Sequence, residues 1–150
     1  MTKLNVTPPF STCSDPEIWF YKNQKSPDNI SPRIEVSDGF FIETLAGVTY
    51  DNRQEKIKNL NQGDKLVLER EPANIHDTNA IRVLTCSGDN IGYIKKIHAA
   101  FYAPFFDIEK EPLSGEVVSI LPGFGTSSFF DVTIKFKVNS FNPPNDVGVP

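Results

Sequence analysis

The chain has 150 residues, 39% of them hydrophobic, and a formal net charge of −4. That is enough for one domain with its own core, and too acidic overall for indiscriminate binding of nucleic acid, so any polyanion contact needs a local basic patch. The two cysteines, Cys13 and Cys86, lie far apart with no CxxC spacing, which argues against a disulfide scaffold and for a reduced, cytoplasmic setting. No apolar run approaches the roughly 20 residues of a membrane helix, and the opening MTKLNVTPP has no signal-peptide stretch.

In chain order, residues 1–38 are rich in Pro, Ser, Asn and Asp and read as a partly ordered arm. One apolar island, IWFY at 18–21, either docks on the domain or serves as a partner-binding motif. Residues 39–138 form the domain. FFIETLAGVTY at 40–50 is β-rich. DNRQEKIKNL at 51–60 reads as a short helix with Asp51 or Asn52 as N-cap. KLVLER at 65–70 and AIRVL at 80–84 are strands, SGDN at 87–90 is a hairpin turn, and IGYI at 91–94 returns. A second helix is expected near 95–107, with Ile97, Ala100, Phe101 and Phe105 on one face and Pro104 kinking it or starting a new turn. Two strands finish the domain, at 113–120 and 129–138. In the second, Val132, Ile134, Phe136 and Val138 alternate with Thr133, Lys135 and Lys137. Residues 139–150, with three prolines, read as a flexible tail. About six short strands with one or two short helices predict a mainly β fold, a small OB-like barrel with a helix against it.

Enzyme motifs are missing: there is no GxxxxGK[ST], no GxGxxG after a strand and no GxSxG. The glycine-rich LPGFGTSS at 121–128 has no lysine after it and reads as a mobile hairpin loop. His76, Asp77, His98, Cys13 and Cys86 form no metal-ligand spacing, and His76–Asp77 has no nucleophile beside it, so neither metal, cofactor nor catalysis is expected. Binding fits better. The loop inside EREPANIHDTNAIRV (69–83) gathers Asn74, His76 and Asp77. Tyr50 ends the first strand, Tyr93 lies on the strand leaving the hairpin, and Lys95 and Lys96 open the second helix. Aromatic faces interleaved with lysines suit single-stranded nucleic acid, with bases stacking on rings and amines meeting phosphates. Each residue also has a plainer use: Asn74 and Asp77 can cap turn amides, and the tyrosines can be core residues with hydroxyls at the surface.

AGVTY (46–50), GDKLVLEREPANIHDTNAIRV (63–83) and GDNIGYIKK (88–96) together resemble the HIRAN domain, with its pattern REPxNxxDxNAIxV followed by GxxIGYIxK. The resemblance spans about residues 40–138. It implies an OB-like barrel without catalysis of its own, found at the front of helicase-like repair ATPases and as stand-alone bacterial proteins. The helix after Tyr50 is closer to the bacterial members. The implied ligand is single-stranded DNA or a free 3′-hydroxyl end, in repair or replication-fork processing. The implied compartment is the cytoplasm of a bacterium, or the nucleus if the chain is eukaryotic. By position, Tyr50 would stack on a terminal base, and Asn74 would belong to the same pocket. Asp77 would meet the 3′-hydroxyl, Lys96 would meet a phosphate, and Phe129 aligns loosely with an aromatic of the late hairpin loop. Three positions depart from the DNA-binding eukaryotic members: Thr49 replaces an arginine, Asp51 a tyrosine and His76 a tyrosine. Losing a cation and gaining a carboxylate weakens contact with a polyanion. Two readings therefore stand: a DNA-end module, with a helicase-type ATPase or other protein as partner, or a protein-interaction module that keeps the barrel without the DNA ligand.

Overall fold

The computed structural model describes the backbone of residues 17–20 and residues 33–123 and 129–140 in full. The elements in order are β1 (Glu17–Phe20), β2 (Arg33–Ser37), β3 (Phe40–Thr44), α1 (Arg53–Ile57), β4 (Lys65–Arg70), β5 (Ile81–Thr85), β6 (Asn90–Tyr93), α2 (Lys96–Glu109), β7 (Leu113–Pro122) and β8 (Phe130–Phe136). All strands belong to one sheet in the order β1-β2-β3-β8-β7-β4-β5-β6, and every pairing is antiparallel.

Period-two patterning accounts for the core. Val132, Ile134, Phe136 and Val138 are buried as their alternation requires, and so are Leu66 and Leu68 on β4, Ile81 and Val83 on β5, and Ile34 and Val36 on β2. The strand at β2 lies in the segment expected to be an arm. Its RIEVS alternates like the others, and it joins β3 in the register Val36↔Phe41. β1, which overlaps the apolar island, adds itself to the edge of β2 with Ile18 opposite Glu35. Among the described residues the sheet therefore has eight strands rather than six. The expected tail from residue 141 onward and most of the glycine-rich loop, residues 124–128, lie outside the described residues.

Strand pairing alone does not close the sheet. One isolated bridge joins its last strand to the segment just after β3: Ala46 N–H donates to the Tyr93 carbonyl at 2.8 Å, and Tyr93 N–H to the Ala46 carbonyl at 2.9 Å. β3 is third and β6 eighth in the sheet order, so the sheet must curl for the two to meet. Gly92 makes that approach possible. Its φ is +147°, and a Cβ there would lie 2.9 Å from the Ala46 carbonyl oxygen.

The long first strand expected at 40–50 stops at Thr44. Gly47, Asp51 and Asn52 all take positive φ, which turns the chain into α1. Asn52 occupies the N-cap position with φ 64°, but its side chain makes no capping bond. Gln54 fastens α1 instead: its Nε2 donates to the carbonyls of Val48 (2.9 Å) and Phe130 (3.0 Å), and its Oε1 accepts from Phe130 N–H (2.8 Å).

α2 runs unbroken through Pro104, whose missing N–H leaves one helical bond unmade. Its buried face is Ala99, Phe101, Tyr102, Ala103 and Phe106. Only Phe101 is shared with the face expected from spacing; Ile97, Ala100 and Phe105 are half-buried. The face is rotated because Tyr102 reaches inward. Its ring packs edge-on against Phe41 and Phe136, each at 5.1 Å, and its hydroxyl donates to Glu43 Oε2 at 2.5 Å. Glu43 is a buried carboxylate, 3% exposed, and its Oε1 also meets His98 Nδ1 at 2.8 Å. Burial first, then the charge and hydrogen bond of Glu43, hold the Tyr102 phenol well above its ordinary range.

Two substitutions test these joints. Gly92→Ala should destabilise by at least about 1–3 kcal/mol, the scale of one strained backbone position, and should speed hydrogen exchange at the Ala46 and Tyr93 amides in particular. Glu43→Ala strands a buried tyrosine hydroxyl and should lower thermal stability more than Tyr102→Phe, which removes the hydroxyl but leaves Glu43 its histidine.

Candidate nucleic-acid interface

The polar knot between β4 and β5 is first of all a self-satisfied turn. Glu71 N–H donates to the Ala80 carbonyl at 2.9 Å, one residue beyond β4, and Asn74 N–H donates to the Glu71 carbonyl at 3.0 Å. Asn74 Oδ1 then accepts from the amides of both His76 (2.8 Å) and Asp77 (3.0 Å). Asp77 Oδ1 accepts from Asn79 N–H at 2.9 Å, and Ala80 N–H donates to the Asp77 carbonyl at 3.0 Å as β5 begins. Pro72 interrupts the ladder because it has no amide to give. Short polar side chains satisfying amides that no strand can reach explain the composition of this stretch.

One carboxylate ties the turn to the sheet. Glu71 Oε1 accepts from Asn74 Nδ2 and from the Tyr93 hydroxyl, each at 2.7 Å, while Oε2 pairs with Arg82 at 3.4 Å. Burial alone would raise the Glu71 carboxyl. The hydrogen bonds from Asn74 and Tyr93 and the charges of Arg82 and Arg53 outweigh it, and the carboxyl sits below its ordinary range. Tyr93 moves the other way, raised by burial and then by its bond to Glu71.

Tyr50 stands on the opposite side of the Ala46–Tyr93 bridge. The residue is 67% exposed. Its amide donates to the Gly47 carbonyl at 3.4 Å, and its carbonyl accepts from Arg53 N–H at 3.0 Å. Arg53 spans the two sides. Its Nη1 donates to the Gly47 carbonyl at 2.7 Å, its Nη2 meets Asp51 Oδ2 at 3.2 Å, and its guanidinium lies 5.2 Å from the centroid of the Tyr93 ring.

Of the residues singled out in sequence, Asn74, His76 and Asp77 share one turn. Tyr93 joins them through Glu71, and Tyr50 joins Tyr93 through Arg53. His76 is exposed and Asp77 half-buried. Lys95 and Lys96 are exposed at the start of α2. Lys95 acts electrostatically on Glu35 of β2, and among the described residues no hydrogen bond or ion pair joins either lysine to the turn. Phe129 is half-buried and packs against the core, its ring over Gly123. Phe130, 36% exposed, is the more open of the two. Glu71 and Arg53 were not foreseen. Glu71 reads as the end of a strand and Arg53 as an ordinary helix residue, and only tertiary contacts give them their roles. Among the described residues no group of three His, Cys, Asp or Glu side chains is placed to hold a metal.

The Glu71 junction carries a pH dependence. A carboxyl held below its ordinary value of 4.5 contributes stability that is present above that pH and lost as pH falls through the lowered value. Acidification below about pH 4.5 should therefore loosen the turn, read as faster exchange at the His76, Asp77 and Asn79 amides. Glu71→Gln should bring the same loosening to neutral pH.

Comparison with known proteins gives this geometry a family. Residues 38–136 match the family described as HIRAN domain. The chain is similar to a putative SWI/SNF-related matrix-associated actin-dependent regulator of chromatin subfamily A member 3-like 1 of Arabidopsis thaliana, 34% identical over 84 residues, which make up 56% of this chain and 9% of that protein. The chain thus spans about a tenth of that relative's length. Among solved structures, a crystal structure of a Lactobacillus plantarum protein aligns at 26% identity with a TM-score of 0.52, covering 63% of this chain and 89% of that one. An NMR structure of the HLTF HIRAN domain in its DNA-bound conformation aligns at 25% identity with a TM-score of 0.48, covering 66% and 73%. With the turn, the IGYI strand and the Tyr50 segment all inside the matched span, the chain belongs to the HIRAN domain family.

Proposed function

We propose that the domain is a non-catalytic module that binds single-stranded DNA at a free 3′-hydroxyl end. In this reading it serves DNA repair or replication-fork processing beside a helicase-type ATPase or another protein partner, in the cytoplasm of a bacterium or the nucleus of a eukaryote. Membership of the HIRAN family supports DNA binding as the class of activity. The observation that carries the finer reading is the division of labour in Asp77. Oδ1 is engaged by Asn79 N–H, and among the described residues Oδ2 has no hydrogen-bond partner. A carboxylate oxygen left open accepts from a terminal hydroxyl and repels the phosphate of a continuing or 3′-phosphorylated strand. Tyr50 supplies an exposed ring for the terminal base, a stack worth about 1–3 kcal/mol. The His76 ring is also exposed. Asn74, with its amide already spent on three partners, holds the turn in place. Lys95, Lys96 and the Tyr93 edge then contribute charge and shape at the margin.

A second reading, a protein-interaction module, is favoured by Ile75, an apolar residue of the turn that is 89% exposed.

Fluorescence anisotropy with a short labelled oligothymidylate distinguishes the two. Micromolar binding that weakens with salt is expected, roughly tenfold tighter for a 3′-hydroxyl than for a 3′-phosphate. Asp77→Asn keeps the turn acceptor for Asn79 and should erase that preference. Equal affinity for both ends in the parent would remove the role given to Asp77, and no binding to any oligonucleotide would favour the protein-interaction reading.

A further inference from the structure

We infer that Arg53 is a phosphate-binding residue of this interface, and that Asp51 occupies the phosphate's place until the strand arrives. The inference rests on the reading of Tyr50 as a base platform. Arg53 is the only cation among the described residues that touches both the Tyr50 segment and Tyr93. Two contacts fix its guanidinium, the bond from Nη1 to the Gly47 carbonyl and the face of the Tyr93 ring. Gly47 is suited to this: its φ is +68°, and a Cβ there would come within 3.1 Å of Arg53 Nη1 and 3.8 Å of the Tyr50 ring.

The remaining edge of the guanidinium is held only weakly. Its partner there is the Asp51 carboxylate at 3.2 Å, whose side chain is 80% exposed while that of Arg53 is 11% exposed. An ion pair with one largely exposed member adds little stability and exchanges readily. Arg53 Nε is buried and, among the described residues, has no hydrogen-bond partner, so the guanidinium is short of acceptors there. Glu71 also attracts Arg53, but that carboxylate already has Asn74, Tyr93 and Arg82 as partners. A planar, under-satisfied guanidinium clamped on an aromatic ring is suited to the two non-bridging oxygens of a phosphodiester. Asp51 presents Oδ2 to that edge, and a strand phosphate would displace it into solvent.

The test uses the full chain and the labelled oligothymidylate with a free 3′-hydroxyl. Asp51→Asn should bind several-fold tighter than the parent. Glu55→Gln removes the same charge from an exposed position on α1 where it meets Lys58, and should change affinity little. Arg53→Gln should weaken binding roughly tenfold and reduce the slope of log affinity against log salt by about 0.7, the value of one phosphate contact on a single strand. If the parent binds while Asp51→Asn gives no gain, or no more gain than Glu55→Gln, the inference is overturned and the function stands. Weaker binding by Arg53→Gln with an unchanged salt slope would likewise make Arg53 a structural residue only. A parent that binds no oligonucleotide would overturn the function and the inference together.

Discussion

Two backbone hydrogen bonds, between Ala46 and Tyr93, set the position of almost everything described at the interface. They pull the last strand of the sheet against the segment that leaves β3. Tyr50 and Arg53 come from one side of that joint, and Tyr93, Glu71 and the β4–β5 turn from the other. Without the joint, the two groups would belong to distant parts of an open sheet. The glycine of the IGYI strand is required here because a side chain at Gly92 would strike the Ala46 carbonyl. A residue that reads as a motif letter is thus a packing requirement.

The interface built on this joint leaves few groups free. Asn74, Glu71, Arg82 and the Tyr93 hydroxyl bond one another or the backbone. At the joint itself the open groups are few: an exposed tyrosine, an exposed histidine, one carboxylate oxygen and one edge of a guanidinium, with the exposed Lys95 and Lys96 at the margin. A surface whose supporting side chains are already satisfied loses little freedom when it binds, so a few free groups can suffice. The net charge of −4 then acts against loose, sequence-blind attraction of nucleic acid and leaves local geometry to decide.

Much of the fold was legible because its core strands carry clean alternation, most plainly Val132 to Val138. The strand at Arg33–Ser37 was missed because RIEVS is short and lies in a stretch dominated by Pro, Ser, Asn and Asp. The face of α2 was misjudged because spacing ranks residues by polarity, whereas Tyr102 is drawn inward by a buried partner, Glu43, that lies far away in sequence. The interface shows the same division. Asn74 and Asp77 could be identified as turn formers from their residue types alone. Glu71 and Arg53 could not, since each acquires its role from Tyr93 on β6, distant in sequence. Thr49 and Asp51 suggested a site depleted of positive charge. Arg53, the third residue after Tyr50, restores a cation there through folding rather than through adjacency.

The proposed function requires that the Tyr50 segment, the β4–β5 turn and Tyr93 act as one binding surface. Amide chemical-shift mapping of the labelled chain with a 3′-hydroxyl oligothymidylate tests it most directly. The largest shifts should fall together on Gly47, Tyr50, Arg53, His76, Asp77 and Tyr93, saturating with a single affinity. Shifts concentrated instead on the outer face around Phe40, Lys135 and Lys137, or confined to only one side of the Ala46–Tyr93 joint, would contradict it.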